Sequence, residues 1–195
     1  MNTSFTLDAP LRAAGELLQR RGDTAAVVVV GGTAMNLLGV VDRATRDVDV
    51  IAIGMPDRHS PPATITPPDP PPPALAEVIR LVARDFGLEH DWMNWDVAQQ
   101  WKTGLPPGFE TRIEWRQYAA LWVGLPGRID LIFLKLYAAV DDIGPSSRHY
   151  TDLVALRPTN EELGAAANWI ESQDRSPAVA QILVVVIRHV IESTR

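Results

Sequence analysis

Two aspartates at the start of an apolar segment are the residues of this chain best suited to chemistry. Asp47 and Asp49 are separated by one residue, and Val48 and Val50 alternate with them. In a β-strand this spacing places both carboxylates on one face and both valines on the other. Adjacent carboxylates repel each other unless a cation lies between them, and Mg²⁺ takes oxygen ligands together with substrate phosphates. The pair therefore predicts a magnesium site that serves a phosphorylated substrate.

A glycine pair precedes these aspartates and predicts the phosphate-binding half of the same site. Gly31 and Gly32 follow four valines, residues 27–30, and precede a segment with helical spacing, residues 33–39. Because glycine has no Cβ, the backbone can approach a phosphate closely, and a helix start presents N–H groups. The hydroxyl of Thr33 comes next, where it could contact a phosphate or cap the helix. The order strand, turn, helix and strand indicates one local unit with a place for a phosphate.

Together, these residues resemble the signature of the minimal nucleotidyltransferase superfamily. The matching positions are Gly31-Gly32-Thr33-Ala34, Gly39, Arg43, Thr45, Asp47 and Asp49, with 14 residues between Gly32 and Asp47. The pattern is most similar to the branch that includes the AbiEii-type toxins of bacterial toxin–antitoxin systems. The resemblance implies that Asp47 and Asp49 hold Mg²⁺ as catalytic residues. It also implies that Gly31, Gly32 and Thr33 cradle the β- and γ-phosphates of an NTP.

Three further polar residues are candidate contacts for the nucleotide. Arg43 and Arg46 lie in the four residues that lead to the aspartate pair. One of them could bind phosphate, and a structural salt bridge is an equal alternative. Asn94 could bond a base or a ribose, or it could be a turn residue. We assign Arg43 and Asn94 to nucleotide binding.

The tryptophans around Asn94 have two interpretations. Trp92, Trp95 and Trp101 are interleaved with polar residues. The favoured interpretation is that their indoles pack against the core. The alternative is that one indole stacks on a nucleotide base, as any exposed aromatic face can do.

A lysine inside an apolar helix is a further candidate. Lys135 is the one charged residue in the apolar body of a predicted helix, residues 129–141, and a lysine there is seldom left unpaired. Its ammonium either reaches the surface or faces an anion in a cleft. Lys135-Leu136-Tyr137-Ala138 matches a Lys-Leu-x-Ala element of the resembled branch. The resemblance implies that Lys135 is catalytic and meets the triphosphate as a point charge.

The resemblance also implies a third essential carboxylate at Asp152. The segment 148–153 resembles a family element that reads basic residue, aspartate, leucine, any residue, aspartate, leucine. Its second aspartate is kept as Asp152, but His149 replaces the first, which puts any shared role of that position in doubt. Glu114 and Asp130 are the alternatives for the third carboxylate. Asp130 could instead serve only as the acidic residue at a helix start.

Composition restricts the remaining classes of protein. The chain has 195 residues, no cysteine and a formal charge of −6. Disulfides, thiol catalysis and cysteine-ligated zinc are therefore excluded. The charge argues against a general nucleic-acid coat protein, although RNA can still be a substrate. Apolar runs are shorter than the about 18–20 residues that cross a membrane, and no secretory leader is visible. We expect a cytoplasmic protein without membrane contact.

The predicted fold is α/β (α+β): a nucleotidyltransferase fold with a small mixed twisted sheet flanked by helices. Helices are predicted at residues 8–22, 33–39, 74–86, 129–141, 160–172 and 177–193, and strands at 25–30, 47–53, 110–116 and 121–123. Residues 1–128 are predicted as the core and 129–195 as a C-terminal helical part that completes the site. Residues 56–73 contain nine prolines and predict an exposed loop. A second loop is predicted at 144–147.

The expected reaction is Mg²⁺-dependent transfer of a nucleoside monophosphate from an NTP, such as ATP, to an acceptor. The resemblance implies a toxin-like enzyme that modifies tRNA or another RNA, with a cognate antitoxin protein as a candidate partner. One alternative is an antitoxin-type enzyme that adenylylates a protein. Another is a module that binds nucleotide without turnover.

Overall fold

The structure is a computed structural model that describes residues 7–68, 70–142 and 147–194. The chain divides into two compact units. The first unit comprises the described residues up to Lys102 together with Glu110–Pro126. The second unit comprises Thr103–Phe109 together with the described residues from Gly127 onward. The predicted boundary after residue 128, between the core and the C-terminal helical part, stays a prediction.

A mixed sheet is the centre of the first unit. Its strands among the described residues are β1 (Ala25–Val30), β2 (Val48–Gly54), β3 (Ile65–Thr66), β4 (Met93–Asn94), β5 (Glu114–Tyr118) and β6 (Leu121–Leu125). They lie in the order β3-β2-β1-β6-β5, and β4 pairs with β2. β1 runs parallel to β6 and antiparallel to β2. Every residue of β1 is buried, as expected of a continuous apolar strand at the centre of a sheet.

The strand β2 has a local irregularity. Neighbouring residues of β1 pair with Val50 and Ala52, so Ile51 is an extra residue between them. Such a residue is a β-bulge, which bends its strand and leaves a ladder position unpaired. The indole N–H of Trp101 donates to the carbonyl of Ile51 at 2.5 Å. The two short strands pair with β2 on either side of this position, β4 near its beginning and β3 at its end.

Helices flank the sheet in the first unit. They are α1 (Asp8–Arg21), α2 (Gly31–Leu37) and α3 (Pro73–Phe86). The one-turn helix α4 (Gln100–Thr103) follows them and ends on Thr103, which belongs to the second unit. α1 packs on α3 and against β5 and β6. The apolar stripe of α3 is buried at Leu75, Val78, Ile79 and Val82, the i, i+3, i+4 and i+7 spacing of a core-facing helix. α2 follows β1 directly, and the loop after it leads back into β2.

Four α-helices lie in the described part of the second unit from Gly127 onward. They are α5 (Arg128–Asp141), α6 (Arg148–Ala155), α7 (Asn160–Gln173) and α8 (Pro177–Ser193). α5 packs against each of the other three. Thr159 begins α7 with a capping box, in which its hydroxyl and Glu162 satisfy each other's backbone N–H groups. Among the described residues no helix combines the length and apolarity needed to cross a membrane.

The predicted fold class is confirmed, and two predicted elements, 25–30 and 177–193, match the structure to the residue. The predicted helix 33–39 starts earlier, at Gly31, and ends at Leu37. The predicted strand 110–116 is wrong in its first half, where Phe109–Arg112 form a 3₁₀ turn before β5. Apolar alternation over so few residues does not separate a strand from a tight turn.

The prediction of one exposed loop at 56–73 is wrong in part. Ile65–Thr66 form β3, Pro62 and Pro68 are buried, and Pro73 opens α3. Proline is well suited to the first turn of a helix because its missing N–H would have no intrahelical partner there. Of the predicted loop 144–147, only Ser147 lies among the described residues.

Candidate functional site

The two aspartates lie at the beginning of β2. Asp47 directly precedes the strand and its side chain is exposed, whereas Asp49 is the second strand residue and is half-buried. Asp49 pairs with Val30, the last residue of β1, on one side and with Asn94 of β4 on the other. The prediction that Asp47 is itself a strand residue is wrong, because β2 begins at Val48; the carbonyl of Asp47 accepts a hydrogen bond from the Thr33 hydroxyl instead. Both aspartates are at the same end of the strand, and the carboxylate of Asp49 lies against the turn after β1.

The glycine pair lies against the side chains that the motif places after it. Gly31 has a φ of +69°, and a Cβ built on it would overlap Oδ2 of Asp49. A Cβ on Gly32 would lie 2.9 Å from Nη2 of Arg43 and 2.8 Å from Cγ2 of Thr45. Substitution at either glycine would therefore displace the side chains beside it. The structure brings Gly31, Gly32, Arg43 and Asp49 together.

Thr33 holds the segment that carries the aspartates. The residue is 2% exposed. Its hydroxyl donates to the carbonyl of Asp47 at 2.6 Å and lies 3.2 Å from the hydroxyl of Thr45. The alternative that Thr33 caps α2 is wrong, because Val30 is the N-cap residue and Thr33 is already the third residue of the helix. A contact with phosphate stays a prediction. Thr33 positions the backbone just before β2.

Asn36 contributes to the site and was missed by the sequence reasoning. Its amide donates to the carbonyl of Arg43 at 2.5 Å, and its carbonyl oxygen lies 3.5 Å from the N–H of the same residue. Asn36 follows Thr33 by three positions, so both lie on one face of α2. That i, i+3 spacing of polar side chains, directed at the loop before the aspartates, was the available signal.

Asn94 lies beside Asp49 in the neighbouring strand. Its amide Nδ2 donates to Oδ1 of Asp49 at 3.4 Å, and its Oδ1 accepts from the N–H of Asp96 at 3.2 Å. The residue is therefore both a turn residue and a neighbour of the candidate metal-binding carboxylate. Its predicted contact with a base or ribose stays a prediction.

Two of the three indoles around Asn94 donate hydrogen bonds to backbone carbonyls of the first unit. Trp92 is 1% exposed and its N–H donates to the carbonyl of Ile79 at 3.0 Å. Trp101 is half-buried and bonds Ile51, while Trp95 is also half-buried. A buried indole cannot offer a face to a base, so packing is the interpretation that the structure supports for Trp92.

The other two predicted catalytic residues lie in the second unit and pair with each other. Lys135 of α5 and Asp152 of α6 form an ion pair of 2.8 Å, and the residues are only 5% and 1% exposed. The anion that Lys135 faces in the structure is thus a carboxylate of its own unit, and the predicted contact with a triphosphate stays a prediction. Asp130, at the start of α5, is fully buried. Glu114, in the first unit, is exposed and lies 3.7 Å from Arg116.

The charges of this ion pair act on the pKa of His149. Burial, together with the positive charge of Lys135, lowers the pKa of His149 from its ordinary value. Its buried Nδ1 has no hydrogen-bond partner among the described residues. The ring is therefore biased toward the neutral form, which avoids a second positive charge beside the lysine.

A cavity of about 580 Å³ opens beside α2 in the first unit. It is lined by Leu7, Asp8, Thr33, Asn36, Leu37, Gly39, Val40, Val41, Asp42, Thr45 and Arg116. Its volume is in the range of small-molecule pockets. Thr33 and Thr45 belong both to this wall and to the contacts behind the aspartates, but Asp47 and Asp49 do not line the cavity.

The donor set of the aspartate pair fits a hydrated divalent cation. In the described part of the chain no group of three or more histidine, cysteine, aspartate or glutamate side chains is arranged to hold a metal. Mg²⁺ does not require such a cage, because one or two carboxylates, waters and substrate phosphates complete its shell. Asp47 is exposed and Asp49 is half-buried beside a glycine. These two side chains are the ones that would hold it.

The mixed sheet flanked by helices, with the glycine turn against Asp49, is consistent with a nucleotidyltransferase-like fold. The chain belongs to the family described as "Nucleotidyltransferase of unknown function (DUF6036)", which matches residues 9–143. That range includes the glycine pair, both aspartates, Asn94 and Lys135, and it ends before Asp152. Neither a curated protein nor a solved structure matches the chain.

Proposed function

We propose that the protein transfers a nucleoside monophosphate from an NTP to an acceptor hydroxyl and releases pyrophosphate. The observation that carries the proposal is the contact of Asp49 with the turn at Gly31, in a chain that belongs to a nucleotidyltransferase family. This contact brings the acidic strand start and the glycine turn, which come from separate parts of the motif, to one place.

The bonds exchanged in this reaction define what the residues have to do. The acceptor oxygen forms a bond to the α-phosphorus, and the bond from that phosphorus to the bridging oxygen breaks. Pyrophosphate leaves with the electron pair, and the hydroxyl proton passes to a base. A bound Mg²⁺ supplies charge neutralisation and polarises the phosphates. Asp47 and Asp49 would hold that ion.

The remaining roles follow from chemical type and from contacts in the first unit. Gly31 and Gly32 offer backbone without side chains beside the aspartates, which suits the β- and γ-phosphates. The guanidinium of Arg43 lies against Gly32 and is a fixed positive charge suited to phosphate oxygens. Thr33 and Asn36 keep the loop between α2 and β2 in place through their backbone hydrogen bonds.

Lys135 and Asp152 enter the proposal through the resemblance to AbiEii-type proteins. In that role Lys135 neutralises charge on the triphosphate. Asp152 either completes the metal shell or accepts the proton of the acceptor. In the structure the two groups are engaged with each other in a 2.8 Å ion pair, which is a competing use of both.

The acceptor that we propose is RNA, with tRNA as the leading substrate, and a role as the toxin of a toxin–antitoxin pair. This part rests on the motif resemblance, and a protein acceptor is the second outcome to be measured. The test incubates the purified chain with each α-³²P-labelled NTP and Mg²⁺, with and without total RNA. Label on RNA supports the proposal, whereas label on a protein favours the adenylylating alternative.

The catalytic assignment is tested with Asp49→Asn and a matched surface variant, Asp91→Asn. Asn at position 49 keeps an oxygen for the Asn94 amide, so the fold should be retained. We expect transfer to fall by more than about 100-fold, beyond the range typical of residues that only support a metal ligand. Asp91 is exposed, and its variant should keep full activity. Full activity in Asp49→Asn would remove Asp49 from the mechanism.

A further inference from the structure

We infer that Asn94 is a positioning residue, which orients the Asp49 carboxylate for a divalent cation. This inference rests on the proposed function of the site. It assigns to Asn94 a role different from direct contact with a base or ribose.

The sheet places Asn94 beside Asp49. β4 runs parallel to β2 with Asn94 opposite Asp49, and the N–H of Val48 donates to the carbonyl of Trp92 at 2.6 Å. These pairings fix the register of a strand that has only two residues. The amide Nδ2 of Asn94 then lies 3.4 Å from Oδ1 of Asp49.

The orientation of the Asn94 amide is determined by its second contact. Oδ1 of Asn94 accepts the N–H of Asp96, two residues later, as in an Asx-turn. The 3₁₀ helix Asp96–Gln99 begins at that residue. A flipped amide would turn Nδ2 toward this N–H donor and Oδ1 toward the carboxylate, so only one orientation satisfies both partners.

The other oxygen of Asp49 is bounded by a different element. Oδ2 occupies the space where a Cβ of Gly31 would be, so the carboxylate lies between β4 and the glycine turn. Two neighbours on opposite sides restrict rotation of the carboxylate about its last bond. Partners of this kind, which orient a metal ligand, typically change metal affinity by about 10–100-fold when they are removed. The neutral amide of Asn94 can orient the Asp49 carboxylate without neutralising its negative charge.

The indoles beside Asn94 explain how such a short strand is held. Trp92 precedes Asn94 by two residues and is anchored to Ile79 of α3 through its N–H. Trp101 follows and is anchored to Ile51 of β2. The tryptophans are thus supports of the segment that carries Asn94.

The test measures Mn²⁺ binding by electron paramagnetic resonance on the full chain, with Asn94→Ala and the control Gln99→Ala. Gln99 is exposed in the adjacent 3₁₀ helix. We expect Asn94→Ala to bind Mn²⁺ about 10-fold more weakly, at the lower end of the range because the 3.4 Å contact is long. Asn94→Ser keeps a hydroxyl acceptor for the Asp96 N–H but does not reach Asp49, so it should lose affinity equally. Gln99→Ala should bind as the wild type.

The substitution Asn94→Ala, made in Asp49→Asn protein, distinguishes a positioning role of Asn94 from direct contact with the base or the metal. In Asp49→Asn protein, Asn94→Ala should cause no further loss of Mn²⁺ binding, because it acts through the carboxylate. Unchanged Mn²⁺ affinity in both Asn94 variants, together with a raised KM for one NTP, would overturn the inference in favour of base contact. Wild-type protein that transfers no nucleotide and binds no Mn²⁺ would refute the proposed function itself. Activity and Mn²⁺ binding that survive in Asn94→Ala refute only the positioning role.

Discussion

Asp49 and Asp152 are aspartates with the same predicted chemistry in very different surroundings. Asp49 is half-buried at the start of a strand, next to an amide and a glycine, with the exposed Asp47 two residues away. Asp152 is buried against the ammonium of Lys135. Asp152 would have to give up a buried partner before it could bind a metal ion, whereas solvent reaches the half-buried Asp49. Residue type marks a candidate, and its environment decides which chemistry is accessible.

The largest expected effect is on the buried pair. Lys135→Met leaves Asp152 buried without its ammonium, which we expect to cost about 3–5 kcal/mol of unfolding free energy. The exposed Asp47→Ala should stay within about 0.5 kcal/mol of the wild type. Urea unfolding followed by circular dichroism measures both.

The double variant Lys135→Met with Asp152→Leu sharpens this prediction. It removes both charges, so most of the lost stability should return. A wild-type unfolding free energy in Lys135→Met alone would contradict the view that the pair is structural.

The next largest effect is expected from alanine at Gly31, where a comparison with Gly39 distinguishes backbone strain from the contact with Asp49. Gly31→Ala and Gly39→Ala both place alanine at positive φ, +69° and +72°, which costs about 1–2 kcal/mol. Only at Gly31 does the new Cβ meet Asp49, since nothing lies within 4 Å of a Cβ at Gly39. We therefore expect both to lower stability but only Gly31→Ala to weaken Mn²⁺ binding. Equal Mn²⁺ affinity in the two variants would break the assignment of Asp49 to the metal.

A smaller effect is expected at Thr33. Thr33→Val removes the hydroxyl bond to the Asp47 carbonyl, which is worth about 1 kcal/mol, whereas Thr33→Ser retains it. Thermal unfolding should rank the serine variant close to the wild type and the valine variant below it. A phosphate contact would instead show itself as a raised KM for NTP in the valine variant without loss of stability.

The smallest effect is a pH dependence in the helical unit. The pKa of His149 is lowered from 6.5 by burial and by Lys135, so the unfolded chain binds a proton more readily than the folded one. Stability should therefore decrease as the pH falls below 6.5, and Asp142, Asp152 and Arg148 also act on the ring. His149→Gln should flatten that decrease in urea titrations at several pH values. An unchanged slope would exclude His149 as its source.

Local patterns were sufficient for much of the fold. β1 could be bounded because six apolar residues lie between polar or glycine neighbours, and α8 because Ser176 and Pro177 mark its start. β3 could not be predicted, since two residues among prolines carry no periodicity and the strand exists only through its pairing with β2. Short elements that depend on a distant partner have no signal of their own.

The same distinction applies to the site. The aspartate pair and the glycine turn lie within 19 residues of one another, so their motif could be recognised as one unit. Asn94 follows Asp49 by 45 residues, and its role beside the carboxylate depends on strand pairing that the sequence does not reveal. The ion pair of Lys135 with Asp152 likewise depends on the packing of α5 and α6. Each residue could be singled out by type, but not its partner.

The bulge at Ile51 has a consequence for the solubility of the chain. An open strand edge is a template for pairing with another molecule, and continuous exposed edges promote aggregation. Along the outer side of β2, β4 pairs with the first residues, the Trp101 indole takes the Ile51 carbonyl, and β3 pairs with the last residues. Within the described ranges, no long run of unpaired β2 backbone is left there for an incoming strand. This side of β2 can thus keep the acidic strand start accessible while offering little backbone for intermolecular pairing.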